Sequence, residues 1–294
     1  ALARVHGALS ARLEGSWRPG ALITVASTLI LLPTLSLHRP VSVHGTGQLT
    51  RSLDALHWLR DHGAQPGDFT APTVAPAFSV MARWQWGHWL THISHQANVA
   101  SPFGQTPDAL RGVRDSVRFF LETDPQRADE ILQARQSRYV LVSPLLAELE
   151  MMLRHTKRPI EDFVVQTPGG PTITALWSKL MNSRLHHFDG RRFTLQGEAH
   201  PPLRGMRLVY DCKTQTTEMG KPLSYCKLFE RVPGAEIEGF AQPGAQVALA
   251  VEIQSNLGRR FLYRDGAVAD AQGRFQIRVP YATGDRPGGV RVGS

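Results

Sequence analysis

The segment Phe78-Ser-Val-Met-Ala-Arg-Trp-Gln-Trp-Gly-His-Trp-Leu90 concentrates the side chains best suited to holding a ligand. Trp84, Trp86 and Trp89 fall within six residues, around Gly87. Each indole brings a large apolar face and one N–H that needs an acceptor when buried. Gly87 implies close packing or an unusual backbone angle. Two readings fit such a cluster: the wall of a recognition pocket, or a plain aromatic core. Gln85, between two of the indoles, offers both an acceptor oxygen and a donor NH2.

The imidazoles form a second set. His88, His92 and His95 are spaced i, i+4 and i+7, one face of a helix, and that spacing could hold zinc. No carboxylate joins them nearby in sequence, so packing and hydrogen bonding is the favoured reading. His186-His187 is a weaker metal candidate. The chain has no Gly-rich phosphate loop, no GxSxG and no HExxH. Acidic neighbours such as Asp129-Glu130 fall on what reads as a solvated helix face. We therefore assign no catalytic residue and no metal ligand from sequence, and no cofactor to this chain.

Cys212 ends the strand-like Arg207–Cys212 and Cys226 opens the strand-like Cys226–Glu230. Adjacent strands joined by the intervening turn could bring the thiols together, and an oxidising compartment would let them pair. The alternative is two free, half-buried thiols.

The elements that position these residues can be read from periodicity and punctuation. Ser52 to Asp61 carries Leu53, Leu56 and Leu59 on one face, with Ser52 as cap and Gly63 as stop. A strand is expected at Phe78 to Met81 and a helix after Gly87. Thr106-Pro-Asp108 starts a helix whose apolar face is Leu110, Val113, Val117, Phe120 and Leu121. Thr123-Asp-Pro125 starts another, through Ala134. Tyr139 to Val142 reads as a buried strand, Pro144 to Arg154 as a helix and Asp162 to Gln166 as a strand. Ile173, Leu176, Leu180 and Arg184 mark a further helix ended by Asp189-Gly190. From Arg191 the pattern turns to strands, with a small β-sandwich starting near Val232.

Ala21 to Leu37 is uncharged and almost wholly apolar or small. It is slightly short of the ~20 residues that span a bilayer, and Pro33 lies inside it. The alternatives are a buried core helix or a signal-like segment; a single span is favoured. Arg4, Arg12 and Arg18 precede it and only Arg39 follows closely, so residues after about 38 are expected on the extracytoplasmic side. The chain opens on Ala1, and is read as a fragment carrying the last span of a larger membrane protein. A net charge of +8 allows nucleic acid or anionic lipid as partner. The arginines are scattered rather than clustered, so nucleic acid is not expected. The fold class is α+β: a cytoplasmic flank and transmembrane helix over 1–40, a mixed α/β core over 41–231, and an all-β sandwich over 232–294.

Several motifs, in order, resemble the C-terminal extracytoplasmic domain of oligosaccharyltransferase catalytic subunits of the archaeal and bacterial type. Ala55-Leu-His-Trp-Leu59 is similar to the helix that precedes that family's WWDYG motif, and Arg83-Trp-Gln-Trp-Gly87 lies where WWDYG would. Asn98 to Gly104, Phe119 to Pro125 and Ser137 to Val142 resemble the segments that follow. Ser183 to Gly190 with Arg207 to Tyr210 resembles the end of the core domain. Lys227 to Gly239 and the strand ending Arg278-Val-Pro-Tyr281 resemble the peripheral β-domain.

The resemblance implies transfer of an oligosaccharide from a lipid-linked donor to the Asn amide nitrogen of Asn-x-Ser/Thr. It implies that a divalent metal (Mg or Mn) and the acidic catalytic residues belong to the membrane part, so this chain alone would not catalyse. Its partners would be an acceptor polypeptide, the lipid-linked oligosaccharide and the membrane. The WWDYG pocket binds the acceptor's hydroxyl. Trp84 matches the second Trp, Trp86 replaces Tyr, Gly87 matches Gly, Gln85 stands for Asp, and Arg83 stands for the first Trp. Met151 or Met152 would supply an apolar wall for the threonine methyl, or would be core. The alternatives are a membrane-anchored binding module without catalysis, or a membrane glycosyltransferase acting on a lipid or glycan.

Overall fold

The computed structural model describes residues 46–68, 73–103, 106–218, 220–281 and 289–292. The segment Ala21–Leu37 and the flank before it lie outside these residues. Among the described residues, no helix is long and apolar enough to cross a membrane.

A mixed four-stranded sheet organises the molecule. Strands β1 (Ser79–Met81) and β2 (Ser137–Val142) run parallel, which the crossover of three helices between them permits. These are α1 to α4 without the first: α1 (Thr46–His62) precedes β1, and α2 (Gly87–His92), α3 (Pro107–Leu121) and α4 (Pro125–Ala134) form the crossover. Further along the chain come α5 (Leu149–Leu153), the hairpin β3 (Val164–Thr167) and β4 (Gly170–Ile173), α6 (Ala175–Lys179) and α7 (Met181–His186). Two short hairpins follow, β5 (Phe193–Leu195) with β6 (Glu198–His200), and β8 (Gln215–Glu218) with β9 (Lys221–Ser224). Strands β7 (Met206–Asp211) and β10 (Lys227–Arg231) return to the central sheet, giving the order β1-β2-β10-β7.

The sheet is buried on both faces, and this is why β2 reads as a continuous apolar run. Successive side chains of a strand point to opposite faces. Val140 and Val142 join one core with Phe229, Leu208 and the helices α3, α4 and α7. Tyr139 and Leu141 join another with Leu228, Tyr210 and α1. On that side Trp58 of α1 stacks on Tyr210, with ring centroids 5.3 Å apart.

Local signals mostly act as read. Thr106 Oγ1 accepts from the amide of Ala109 at 3.2 Å, and Asp124 Oδ1 from that of Gln126 at 2.9 Å. Gly63 follows α1, where a Cβ would come within 2.3 Å of the Leu59 carbonyl oxygen. Four expectations need correction. Helix α1 starts at Thr46, so Ser52 is interior rather than a cap, and its hydroxyl donates to the Leu49 carbonyl. Leu110 is exposed; α3 instead buries Gly112 and Ser116 beside Phe119 and Phe120. The cause is backbone proximity: a Cβ at Gly112 would meet the Val99 carbonyl oxygen at 2.1 Å, and Ser116 Oγ donates to the Ala82 carbonyl at 2.8 Å. The helix expected over 173–184 breaks at Leu180, whose ψ of 137° is extended, and Ile173 belongs to β4. The helix expected over 144–154 divides into a 3-10 turn at Leu146–Glu148 and α5.

After β10 come β11 (Ala235–Phe240), β12 (Gln246–Gln254), β13 (Arg260–Val268), β14 (Arg274–Val279) and β15 (Arg291–Val292). They form two small sheets, β11-β14 and β13-β12-β15. Ile253, Tyr263, Ile277, Val279 and Tyr281 are buried in the same core as Val140. The Tyr281 hydroxyl accepts from the Leu208 amide at 3.2 Å.

A buried charge cluster joins these layers. Asp189 lies just beyond α7, in the left-handed region with φ 56°. It pairs with Lys227 of β10 at 2.7 Å and with Arg259, before β13, at 2.6 Å. Arg259 also reaches Asp211 of β7 at 2.9 Å. Burial alone would raise the Asp189 pKa, but Lys227 and then Arg259 outweigh it and hold the carboxyl at about 2. Replacing one member of such a group leaves an uncompensated buried charge. Asp189→Asn should therefore lower stability by about 3 kcal/mol, read as a lower chemical-denaturation midpoint at unchanged slope.

Candidate functional site

Strand β1 delivers the tryptophan segment to the rim of the sheet. Beyond Met81 the chain stays extended at Arg83 (φ −63°, ψ 147°), then tightens into a 3-10 turn over Trp84–Trp86 that leads into α2. The turn is closed by the Trp86 amide donating to the Arg83 carbonyl at 3.0 Å. Gly87 is required here by contact rather than by dihedral angle. A Cβ would lie 2.3 Å from the Ala100 carbonyl oxygen. The returning segment is fastened to α2 by Asn98, whose Nδ2 donates to the Gly87 carbonyl at 3.1 Å and to Thr91 Oγ1 at 2.8 Å.

The three indoles have different roles. Trp86 is fully buried, edge-on to Trp89 at 5.5 Å, and its Nε1–H finds no acceptor among the described residues. Trp84 is only partly buried and meets His155, just beyond α5, edge-on at 5.8 Å. Trp89 is half-buried beside His88, with centroids 4.8 Å apart.

Arg83 is 2% exposed, and its charge is matched inside the fold. It donates to the Pro144 carbonyl at 2.9 Å and to Ser143 Oγ, and pairs with Glu148 Oε2 at 2.9 Å. Gln85 Nε2 donates to the same Glu148 oxygen at 2.6 Å. A carboxylate can only accept, so it fixes the amide: the NH2 faces Glu148 and the carbonyl is turned away. That carbonyl oxygen, Gln85 Oε1, is buried and has no hydrogen-bond partner among the described residues. An unpaired buried acceptor of this kind is costly unless a donor reaches it.

The segment after β2 does meet the tryptophan turn, but through Glu148 and His155 rather than the methionines. Met152 is fully buried in the core and Met151 is 40% exposed. Helix α5 turns one inward and the other outward, so Met152 takes the core alternative of the two readings. Sequence reading missed Glu148, because its partners Arg83 and Gln85 lie more than sixty residues earlier. The composition of Pro144–Met152 gave no sign of the contact.

The histidine face is not assembled either. Helix α2 ends at His92, and His95 lies beyond it with φ 51°, off the helical face. His88 stands near Phe103 at 5.7 Å, and burial, then His92, lowers its pKa. Among the described residues one group could hold a metal: His186, His187 and Glu218. Burial pushes the His186 pKa down, while the two imidazoles hold Glu218 below the usual carboxylate range against its own burial.

Cys212 and Cys226 are neighbours, as expected, but are free thiols and both buried. The expected disulfide is thus corrected. Cys212 Sγ instead accepts from the Cys226 amide at 3.0 Å and faces the Thr214 carbonyl at 3.4 Å. Burial, then the neighbouring Cys212, raises the Cys226 pKa well above its ordinary value, which keeps the thiol protonated.

Two family models match the chain: the AglB core domain over residues 52–147, and the archaeal glycosylation protein B long peripheral domain over residues 234–294. A dolichyl-phosphooligosaccharide-protein glycotransferase of Archaeoglobus fulgidus is 25% identical over 44% of the chain and 20% of its own length. The glycotransferase AglB of Haloferax volcanii is 20% identical over 90% of the chain and 37% of its own length. The chain therefore spans well under half of these relatives. Two solved structures share the fold. The A. fulgidus oligosaccharyltransferase with zinc and sulfate has a TM-score of 0.62 at 18% identity, covering 90% of this chain and 46% of that one. Archaeal AglB from the same organism, with an inhibitory peptide and a dolichol-phosphate, has a TM-score of 0.60 at 17% identity, covering 98% and 44%. The chain is similar to the C-terminal portion of archaeal oligosaccharyltransferases.

Glu148 carries two tasks, neutralising Arg83 and orienting Gln85. Glu148→Gln should lower stability by about 3 kcal/mol, because Arg83 is left charged and buried. The check is thermal unfolding of the variant beside Arg83→Met/Glu148→Gln, in which the buried charge is also removed and stability recovers.

Proposed function

We propose that this chain is the acceptor-recognising C-terminal part of an archaeal-type oligosaccharyltransferase, working in transfer of a lipid-linked oligosaccharide to Asn in Asn-x-Ser/Thr. The observation that carries this reading is Gln85 Oε1, a buried acceptor without a partner among the described residues, next in the chain to the partly buried Trp84. An acceptor Ser or Thr hydroxyl donates to it. The bond is neutral, with the charge one residue removed on Glu148, so it is weaker than a bond to an aspartate would be. Trp84 would cover the hydroxyl from water, Gly87 lets the turn pack on the backbone at Ala100, and Met151, the exposed methionine, would meet the peptide.

Supporting it, a structure of similar fold, 16% identical with a TM-score of 0.61, was solved tethered to an acceptor peptide containing the NVT sequon. The donor lipid and a divalent metal, Mg or Mn, would be held by membrane segments of the whole protein. In this reading Ala21–Leu37 is a membrane span and residues after about 38 are extracytoplasmic. The core domain ends near 231, and residues 232–294 form the peripheral β-sandwich domain.

Trp84→Ala in the complete protein should abolish glycosylation of an Asn-x-Thr peptide. Unchanged transfer at normal expression would remove the pocket assignment. Trp86→Ala should also abolish transfer, but as a fully buried indole it costs roughly 3–5 kcal/mol of stability, so Trp84 is the cleaner test. Gln85→Ala should raise KM for the peptide about tenfold, the worth of one neutral hydrogen bond. An acceptor-peptide assay also separates this function from a lipid- or glycan-modifying transferase, which would leave the peptide untouched.

A further inference from the structure

We propose that His186, His187 and Glu218 form a binding site for a zinc-class divalent cation. The inference stands on geometry and is independent of the acceptor assignment. The nitrogen and oxygen atoms that would serve as ligands all lie within 4.8 Å of one another. His186 comes from the end of α7, His187 follows it, and Glu218 ends β8.

The hydrogen bonds fix what each atom offers. His186 Nε2 lies 2.9 Å from the Ser224 carbonyl oxygen. A carbonyl only accepts, so Nε2 carries the hydrogen. In the neutral ring Nδ1 is then a bare lone pair. It is fully buried and has no hydrogen-bond partner among the described residues. It faces Glu218 Oε2 at 3.6 Å. Two acceptors thus oppose each other, and this arrangement calls for something positive between them. A proton on Nδ1 would make a second cation beside Lys227, whose ammonium lies 2.6 Å from the His186 carbonyl oxygen. His187 Nε2 points to the same carboxylate oxygen at 2.7 Å. A divalent cation satisfies all three.

The surroundings are those of a built ligand set. Metal-bound imidazoles commonly donate their other N–H to a carbonyl, as His186 does to Ser224. Glu218 Oε1 accepts from the amides of Leu145 and Leu146 at 2.9 Å each, which holds the carboxylate in place. Two nitrogens and one oxygen suit zinc; magnesium prefers oxygen donors throughout. Zinc ligands at about 2.0–2.1 Å stand roughly 3.4 Å apart in a tetrahedron. The His186 distance is already close to that. The His187 contact opens by under 1 Å once the ring hydrogen moves from Nε2 to Nδ1, the tautomer that leaves Nε2 free to bind. His187 and Ser224 also line a cavity of about 400 Å³. It gives the ion a path and leaves room for water in the fourth position.

The site would act as a clasp. Glu218 holds the amides of Leu145 and Leu146, and the adjoining Pro144 and Glu148 hold Arg83. A bound ion would fasten that loop to α7 and β8, behind the tryptophan turn.

The test uses the complete protein, freed of metal with a chelator, re-equilibrated with zinc chloride and dialysed. Zinc per chain is then measured by elemental mass spectrometry in the unmodified protein, His187→Asn and Glu218→Gln. Each variant should hold one zinc fewer than the unmodified protein, while thermal unfolding of the metal-free forms stays comparable. Equal zinc in all three would overturn the proposal and leave a hydrogen-bonded cluster only. If a variant does not fold, cobalt(II) added to the unmodified protein decides the matter. Strong visible bands of a four-coordinate site are expected; only the weak bands of six-coordinate cobalt, or none, would overturn it. Neither readout involves glycosylation.

Discussion

Asp189 is the point on which the architecture turns. Its carboxylate sits between Lys227, from the interior strand β10, and Arg259, from the C-terminal β region. Arg259 continues the chain of charge to Asp211 on β7. The end of α7, two strands of the central sheet and the start of β13 are thereby held to one another. Such a group does not gain stability simply from Coulomb attraction, since desolvating each charge is expensive. Its effect is on specificity. In the observed register, with β10 between β2 and β7, Lys227 reaches Asp189 and both charges are paired.

The tryptophan turn follows the same logic on a smaller scale. Arg83 is an ion inside the fold, and Glu148, Ser143 and Pro144 satisfy it. The loop after β2 is therefore bound to the segment after β1. The same Glu148 orients Gln85, turning its amide carbonyl away from the carboxylate. The negative charge beside this turn is that of Glu148, half-buried and already engaged by Arg83 and Gln85. Glu218 grips the adjoining amides of Leu145 and Leu146, which links the loop to the His186–His187 pair. One stretch of a few residues thus connects the tryptophan turn with the imidazole cluster.

Much of this was legible along the chain. Thr106-Pro-Asp108 and Asp124-Pro125 set helix starts, because their side-chain oxygens can reach amides only two or three residues away. The β2 run announced a strand buried on both faces, and the parallel pairing with β1 was permitted by the helices between them. Leu110 misled, because helix α3 packs through Gly112 onto the backbone at Val99, and no periodicity reveals which face will meet a carbonyl. Ser52 has the type of a cap, but the helix had already begun.

The sequence by itself determined the elements, the aromatic segment, the neighbouring cysteines and the family likeness, since each rests on residue types within a short span. The tertiary structure alone decided what those residues face. That Arg83 is neutralised by Glu148, that Met152 is core, and that Cys212 and Cys226 remain thiols are outcomes of packing. So is the meeting of His186 and His187 with Glu218. These partners lie 14 to 65 residues apart in the chain. Their encounter follows from sheet order and from burying charge in pairs, constraints that no local pattern records.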